Sequence, residues 1–314
     1  MGLTIGVDVG GTKVAAGVVD EDGQVLLSTR RPTPSTSPDD VEETIAAVVT
    51  ELRRQHEVEA VGIGAAGFID VKRSTVLFAP NLVWRDEPLR DDVAKRIDLP
   101  VVVENDANCA AWAEYRFGAG RGEADLVLVT VGTGIGGGMI LDGKLYRGRF
   151  GIGAEFGHMQ VVVDGRRCGC GGRGCWEQYC SGRALLHEAR EIADVQAAYG
   201  ARLLELGGGE PEGIESVDVT QAALEGDPAA LACFEELGAW LGQGLADLAA
   251  ILDPGVFVIG GGVSDAGDLL LDPARRVYRQ KLTGVGYRPL ADIRLAELGN
   301  EAGLVGAADL ARIR

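Results

Sequence analysis

Twice in this chain a strand, a glycine turn, a second strand, an acidic turn ending in glycine and a third strand follow one another. In the first copy Ile5, Val7 and Val9 lead into Gly10-Gly11-Thr12-Lys13. Val14 to Val19 form the second apolar run, and the Glu21-Asp22-Gly23 turn precedes Val25 to Leu27. In the second copy Leu126 to Val131 run into Gly132-Thr133-Gly134, Gly136 to Leu141 follow, and Asp142-Gly143 turns into Lys144-Leu145. Apolar runs joined by tight glycine turns predict strand meanders. A unit repeated once at this distance is not a short-period solenoid. It predicts two related α/β domains that place their glycine turns on opposite sides of one cleft.

Length and composition agree with this. A chain of 314 residues suits about two domains, and 46% hydrophobic content suits packed cores. A formal charge of −17 argues against a nucleic-acid or anionic-membrane partner, because phosphates are repelled over most of such a surface. Met1 leads directly into a strand with no basic leader. Glycines break the apolar stretch Leu126 to Leu141, so it reads as two strands rather than a membrane span. Six cysteines in this length make no disulfide framework, and a cytoplasmic protein with a metal site fits better.

The remaining elements are read more coarsely. Ser37 caps a helix that begins at Pro38 and buries Val41, Ile45, Val48, Val49 and Leu52. Strand Val58 to Ala65 ends at Ala66-Gly67, and a hairpin-like stretch follows from Asp70 to Phe78. A helix runs from Leu89 to Arg96. Strand Val101 to Val103 delivers Glu104-Asn105-Asp106 to the helix Ala107 to Tyr115. Met159 to Val163 reads as a short strand, Arg183 to Leu206 as one helix and Gly207 to Gly213 as a loop. Asp227-Pro228 caps a helix to Leu252 whose apolar stripe serves the core or a subunit contact. Gly255 to Ile259 is a buried strand running into Gly260-Gly261-Gly262. Ile293 to Leu298 is a strand, and Ala302 to Ile313 is the last helix.

The densest chemistry lies between Gly151 and Glu177. Cys168, Cys170 and Cys175 sit among glycines, with His158 upstream, and one His with three Cys completes a tetrahedral zinc ligand set. Buried small side chains or a redox pair are the competing reading, which clustering among glycines disfavours. Four protein ligands leave no open position for a catalytic water, so the zinc reads as structural.

Three glycine turns end strands. Asp8 precedes Gly10, Gly11, Thr12 and Lys13, a turn whose backbone N–H groups, hydroxyl and ammonium suit phosphate oxygens. Its carboxylate suits a hydrated Mg²⁺ bridging phosphates. Gly132, Thr133 and Gly134 repeat the turn without the charges. Gly260, Gly261 and Gly262 end a buried strand, where open α/β sheets bind ligands. Asp106 stands where a strand meets a helix N-terminus, whose dipole and free N–H groups hold it ionised. It reads either as a proton acceptor in phosphoryl transfer or as a helix cap. Glu155 and Glu177 flank the cysteine region.

In these segments the chain resembles a sugar kinase of the ROK (repressor, open reading frame, kinase) family, and its bacterial ATP-dependent glucokinases in particular. The matching segments are Asp8-Val-Gly-Gly-Thr-Lys13, Glu104-Asn-Asp-Ala-Asn108, Gly132-Thr-Gly-Ile-Gly-Gly137, Glu155-Phe-Gly-His158 and Cys168-Gly-Cys-Gly-Gly-Arg-Gly-Cys-Trp-Glu177. They occur in order over essentially the whole chain. The resemblance implies two RNase-H-like domains of the actin/hexokinase/Hsp70 type. The first is small, residues 1–110 joined by the C-terminal helix 300–314, and the second spans residues 111–299 with the zinc site.

The resemblance also implies transfer of the γ-phosphate of ATP to the 6-hydroxyl of glucose, with Asp106 as the base. Asn105, Glu155, His158 and Glu177 would bond the other sugar hydroxyls, with Gly67 contributing backbone. Asp8 and the first glycine turn would hold Mg²⁺ and phosphates, Gly132 to Gly134 the opposite phosphate side, and Gly260 to Val263 the adenosine. One ring nitrogen of His158 would bind zinc while the other faces a sugar hydroxyl. A dimer or dimer of dimers is implied.

Two alternatives come with the family. One is a kinase for N-acetylmannosamine, N-acetylglucosamine or fructose, and polyphosphate is an additional donor to consider. The other is a sugar-responsive repressor, disfavoured because only seven residues precede Asp8, where those proteins carry a helix-turn-helix domain. The family pattern Gly-Glu-Ile-Gly-His reads Ala154-Glu155-Phe156-Gly157-His158 here, a departure expected to touch fine pocket shape alone.

Overall fold

The computed structural model describes residues 2–79, 82 and 84–313. In chain order the elements are β1 (Thr4–Val9), β2 (Lys13–Val19), β3 (Val25–Pro32), α1 (Pro38–Arg53), β4 (Ala60–Ala65), β5 (Phe68–Ile69), β6 (Val76–Phe78) and β7 (Arg85–Glu87). Next come α2 (Leu89–Ile97), β8 (Val101–Asn105), α3 (Asp106–Phe117), β9 (Leu126–Val131), β10 (Ile135–Leu141) and β11 (Lys144–Tyr146). The rest are α4 (Gly182–Val195), α5 (Ala201–Leu206), α6 (Ser216–Leu224), α7 (Pro228–Leu252), β12 (Val256–Gly260), α8 (Asp268–Lys281), β13 (Asp292–Leu295) and α9 (Ala302–Arg312).

The duplication is visible in the sheets. One has the order β3-β2-β1-β4-β8 and the other β11-β10-β9-β12-β13, so each meander occupies the same three places. In the first sheet β1 runs antiparallel to β2 and parallel to β4, and β4 runs parallel to β8. The hairpin-like stretch is a small sheet of its own, β5-β6-β7.

By packing, the chain divides into two compact units. The first takes the residues up to Leu128, then Gly137–Ala154 and Ala296 onward; the second takes Val129–Gly136 and Glu155–Leu295. α3 therefore packs whole within the first unit. Strand alternation explains that unit's two layers. Ile5, Val7 and Val9 share a buried cluster with Val41, Ile45, Val48 and Val49 of α1. Gly6 falls between these positions and its partner Gly62 on β4 between Val61 and Ile63, both under α9. A Cβ there would lie 1.9 Å from the Leu304 carbonyl oxygen and 1.8 Å from that of Ala307. Only glycine lets the helix backbone come that close.

In the second unit α7 carries the core. Phe234, Leu237, Leu241, Leu245 and Leu248 are buried, while Leu231 at the start of the stripe is exposed. Gly238 and Gly242 leave room for Pro273 and Ala274 of α8.

Three readings of the sequence change, and two helices are added. Met159 to Val163 is not a strand: Gln160 makes one bridge, to Cys175, and Val163 is exposed. The Val161 and Val162 amides both turn to the Gly174 carbonyl, which folds the segment onto the cysteine loop. The helix expected from Arg183 to Leu206 breaks between α4 and α5, where Gly200 tucks against Ala193. α6 and α8 are the additions, in stretches given no element above. The last strand stops at Leu295, because the amides of Glu297 and Leu298 donate to the buried Glu114 carboxylate at 3.1 and 2.8 Å.

Candidate active site

The expected site residues fall into two groups, one in each unit. In the first unit the Gly10–Lys13 turn is closed by the Gly10 amide donating to the Lys13 carbonyl at 3.0 Å. Thr33 pins it from outside, its hydroxyl donating to the Gly10 carbonyl at 2.7 Å. Asp8 ends the adjoining strand. Burial, and then the negative charge of Asp106, push its carboxyl up to about 6, with Lys13 opposing.

β8 delivers Asn105 and Asp106 to the head of α3. Asn105 is the helix cap, its side-chain oxygen accepting the Asn108 amide at 3.0 Å. Its side-chain amide donates to the Gly67 carbonyl at 3.2 Å and to Asp106 Oδ1 at 3.0 Å. That oxygen also accepts the Ala107 amide at 2.9 Å. The turn therefore holds the Asp106 carboxylate through two bonds on Oδ1. Against the helix end, which favours the ionised form, the structure sets an opposing effect. Burial pushes the Asp106 carboxyl above the usual carboxylate range, outweighing the hydrogen bonds that pull it down. A raised carboxyl suits a proton acceptor better than a permanently ionised cap does. Gly67 has φ +144, and a Cβ there would meet the Phe78 carbonyl oxygen at 2.4 Å, so the backbone that presents the Gly67 carbonyl to Asn105 requires glycine.

Sequence reasoning passed over two arginines in this unit. Arg73 Nε lies 3.0 Å and Arg147 Nε 2.7 Å from the same oxygen of buried Glu104. Nothing in the local sequence of either arginine marks it, because both partners are remote in the chain.

In the second unit His158, Cys168, Cys170 and Cys175 converge, their donor atoms all within 4.8 Å of one another. Cys168 Sγ is 3.7 Å from His158 Nδ1, and Cys170 Sγ is 3.6 Å from Cys175 Sγ. Ligands about 2.3 Å from a tetrahedral zinc stand about 3.8 Å apart, so the spacing fits that ion. Because Nδ1 faces the sulfurs, Nε2 is the ring nitrogen left for another partner. A 3-10 turn, Phe156–His158, carries the histidine, and the His158 amide donates to the Glu155 carbonyl at 3.1 Å.

The cysteine loop is anchored by Trp176. It is fully buried, donates to the Trp240 carbonyl at 2.9 Å and fills the space left by Gly244 on α7. Glu177 follows, with Oε1 3.6 Å from Cys168 Sγ and Oε2 accepting the Ile135 amide at 3.3 Å. It thus joins the cysteine loop to the second glycine turn.

That turn meets the third. The Gly132 carbonyl accepts the Gly182 amide at 2.7 Å, and Gly182 packs against Val263. Gly261, at φ +85, lies beneath Val131, where a Cβ would come within 2.6 Å of the Val131 carbonyl oxygen. Thr133, Gly261 and Gly262 are exposed, and the space around Gly132 and Gly262 is open. Exposed backbone at two glycine turns is a surface a phosphate or nucleotide can approach closely.

The ROK family model matches residues 4–314. The chain belongs to the ROK family. A glucokinase of Streptomyces coelicolor is 56% identical over 312 residues, covering 99% of this chain and 98% of its own. One of Thermotoga maritima is 38% identical over 312 residues, covering 99% and 97%. The crystal structure of a ROK family glucokinase from Streptomyces griseus in complex with glucose and AMPPNP matches with a TM-score of 0.90, at 57% identity and over 100% of both chains. The fold is the two-domain α/β type of actin and hexokinase. Against the ROK pattern Gly-Glu-Ile-Gly-His, Ala154 is more than a change of pocket shape. It has φ +73, a left-handed conformation that glycine adopts freely and alanine does not.

Proposed function

We propose that the chain is an ATP-dependent glucokinase, transferring the γ-phosphate of ATP to the 6-hydroxyl of D-glucose. The observation that carries this is the full-length match to the Streptomyces griseus glucokinase complexed with glucose and AMPPNP.

In this reading Asp106 accepts the proton of the 6-hydroxyl as the oxygen attacks phosphorus. Asn105 keeps the Asp106 carboxylate oriented and bonds a neighbouring hydroxyl. Glu155, His158 through Nε2 and Glu177 bond the remaining hydroxyls, and Gly67 lends its backbone. The N–H groups of Gly10 to Lys13 and of Gly132 to Gly134 hold phosphate oxygens, while Gly260 to Val263 hold the adenosine. Positioning and charge neutralisation carry most of the rate.

Two metal ions complete the reading. Asp8 would hold Mg²⁺ with the nucleotide; its hard oxygen ligands, beside a second carboxylate whose charge already disturbs them, are what that ion prefers. Bound Mg²⁺ supplies neutralisation of the phosphate charge. His158, Cys168, Cys170 and Cys175 would hold a structural Zn²⁺, and the donor spacing supports it. Bound zinc supplies rigidity to the histidine ring and the Glu177 backbone. No described helix is long and apolar enough to cross a membrane. A cytoplasmic homodimer or homotetramer is part of the proposal.

The test is a coupled ADP assay with ATP-Mg²⁺ and glucose, mannose, fructose, N-acetylglucosamine and N-acetylmannosamine, repeated with polyphosphate as donor. Glucose with ATP should give the highest kcat/KM. A higher value for an N-acetylated sugar or fructose would overturn the glucose assignment, and absence of turnover on every sugar would overturn the kinase assignment.

A further inference from the structure

The geometry points to Glu104 as a positioning residue for the Asn105-Asp106 turn, locked in place by Arg147; this rests on the kinase reading above. Glu104 is 1% exposed, yet it is surrounded by polar partners on both oxygens. Oε1 accepts the Asn105 backbone amide at 2.9 Å and the Asn108 side-chain amide at 3.1 Å. Asn105 and Asn108 are also the two residues that cap α3. Oε2 faces Arg73 and Arg147 at 3.0 and 2.7 Å.

Arg147 reaches further. Its Nη1 donates to the Val71 carbonyl at 3.1 Å and its Nη2 to the Asp70 carbonyl at 2.9 Å. Those residues follow β5, the strand that begins just after Gly67, and the Gly67 carbonyl in turn accepts from Asn105. Hydrogen bonds and the Glu104–Arg147 ion pair close a ring: Asn105, Glu104, Arg147, the β5 end, Gly67 and back to Asn105. A ring of this kind fixes the turn from two sides. Three buried or partly buried charges make a costly way to build a core, since an apolar substitute often packs as stably. Here the cost coincides with a segment whose orientation decides where Asp106 points. Arg147 also heads the segment leading to Ala154 and Glu155, so one side chain sets the Gly67 strand and the catalytic turn together.

The experiment compares the full-length protein with Glu104→Gln, Arg147→Lys and the uncharged pair Glu104→Gln/Arg147→Met, each also combined with Asp106→Asn. The uncharged pair guards against a fold failure caused by an unpaired buried arginine. Expected for Glu104→Gln is a kcat lowered about 30- to 100-fold, the scale of a small misplacement of a reacting group, with KM for ATP within twofold of the wild type. Arg147→Lys, which keeps a charge for Glu104 but loses the fork to Asp70 and Val71, should fall between. Combined with Asp106→Asn, Glu104→Gln should cause no further loss, because residues acting as a unit are non-additive. A kcat within threefold of wild type, or losses that multiply with Asp106→Asn, would overturn the proposal.

A second readout needs no substrate. Hydrogen exchange at the Asn105 and Asn108 amides should accelerate at least tenfold in Glu104→Gln while amides in β12 keep their rates. Unchanged exchange would overturn the ring even if the wild type preferred another sugar, and wild type inactive on every sugar would overturn the kinase reading while leaving the exchange result to judge the ring.

Discussion

Replacing Cys168 with serine should remove zinc and glucose affinity together. Cys168 Sγ stands 3.7 Å from His158 Nδ1 and 3.6 Å from Glu177 Oε1, so it sits at the junction of the two side chains proposed to bond sugar hydroxyls. A serine hydroxyl is a poor zinc ligand, and a three-ligand site binds far more weakly than a closed tetrahedral one. Without the ion the exposed His158 ring is free to rotate, and the loop between Cys168 and Glu177 loses its brace. A hydrogen bond to a neutral group contributes about 1 kcal/mol and one to a charged group about 1.5–3 kcal/mol. Losing the preorganisation of one of each costs about 2.5–4 kcal/mol, or about 70- to 1000-fold in glucose Kd. The assay pairs zinc per chain by mass spectrometry with glucose titration by calorimetry. Binding of an ATP analogue is measured alongside and should weaken less than glucose binding, because the Gly10–Lys13 turn makes its bonds without the cysteine loop, while Glu177 ties that loop to the Gly132–Gly134 turn. A variant that has lost its zinc and still binds glucose within twofold of the wild type refutes the coupling.

Two further substitutions follow from the backbone and from burial. Ala154→Gly relieves a left-handed alanine that costs about 1–2 kcal/mol, and after the extra freedom glycine has in the unfolded chain it should still stabilise by about 1 kcal/mol, read as a higher thermal midpoint; a lower midpoint contradicts the assignment of strain. Asp8→Asn should stabilise the metal- and nucleotide-free protein at pH 7.5 but not at pH 4. With a folded value of about 6 against 3.8, the folded state holds the proton more tightly, so stability is lost as pH rises from about 4 to about 6, by up to about 3 kcal/mol. The same substitution should abolish turnover. Equal midpoints for the two proteins at pH 7.5 would show that the carboxylate is not disfavoured there.

The sequence made some of this easy to read and some of it invisible. The two meanders were legible because apolar runs, glycine turns and acidic turns all gave the same answer, and the matching sheet orders follow. The His/Cys cluster proposed to hold zinc was legible because three of its four residues sit in one short loop. α8 was hidden because Pro273 interrupts its pattern and no side chain caps its start. Met159 to Val163 looked like a strand on apolar content alone, but its amides had a nearer acceptor in Gly174. The upward shift of the Asp106 carboxyl was hidden because a helix end can be read from sequence while the surrounding burial cannot. The Glu104 ring was out of reach for the same reason: its arginines lie in other elements, and only the fold brings them to one carboxylate.

The central claim is that Asp106 takes the proton of the glucose 6-hydroxyl, and Asp106→Asn tests it most directly. The variant keeps an oxygen to accept the Ala107 and Asn105 donors, so the turn should hold its shape. Glucose Kd, by calorimetry, should stay within about threefold while kcat falls about 10²- to 10⁴-fold, the usual loss for a positioned general base. In the wild type, kcat/KM should fall on the acid side as the raised Asp106 carboxyl takes up a proton, and the residual rate of the variant should lack that fall. Turnover near the wild-type rate in Asp106→Asn, with glucose bound normally, would contradict the account.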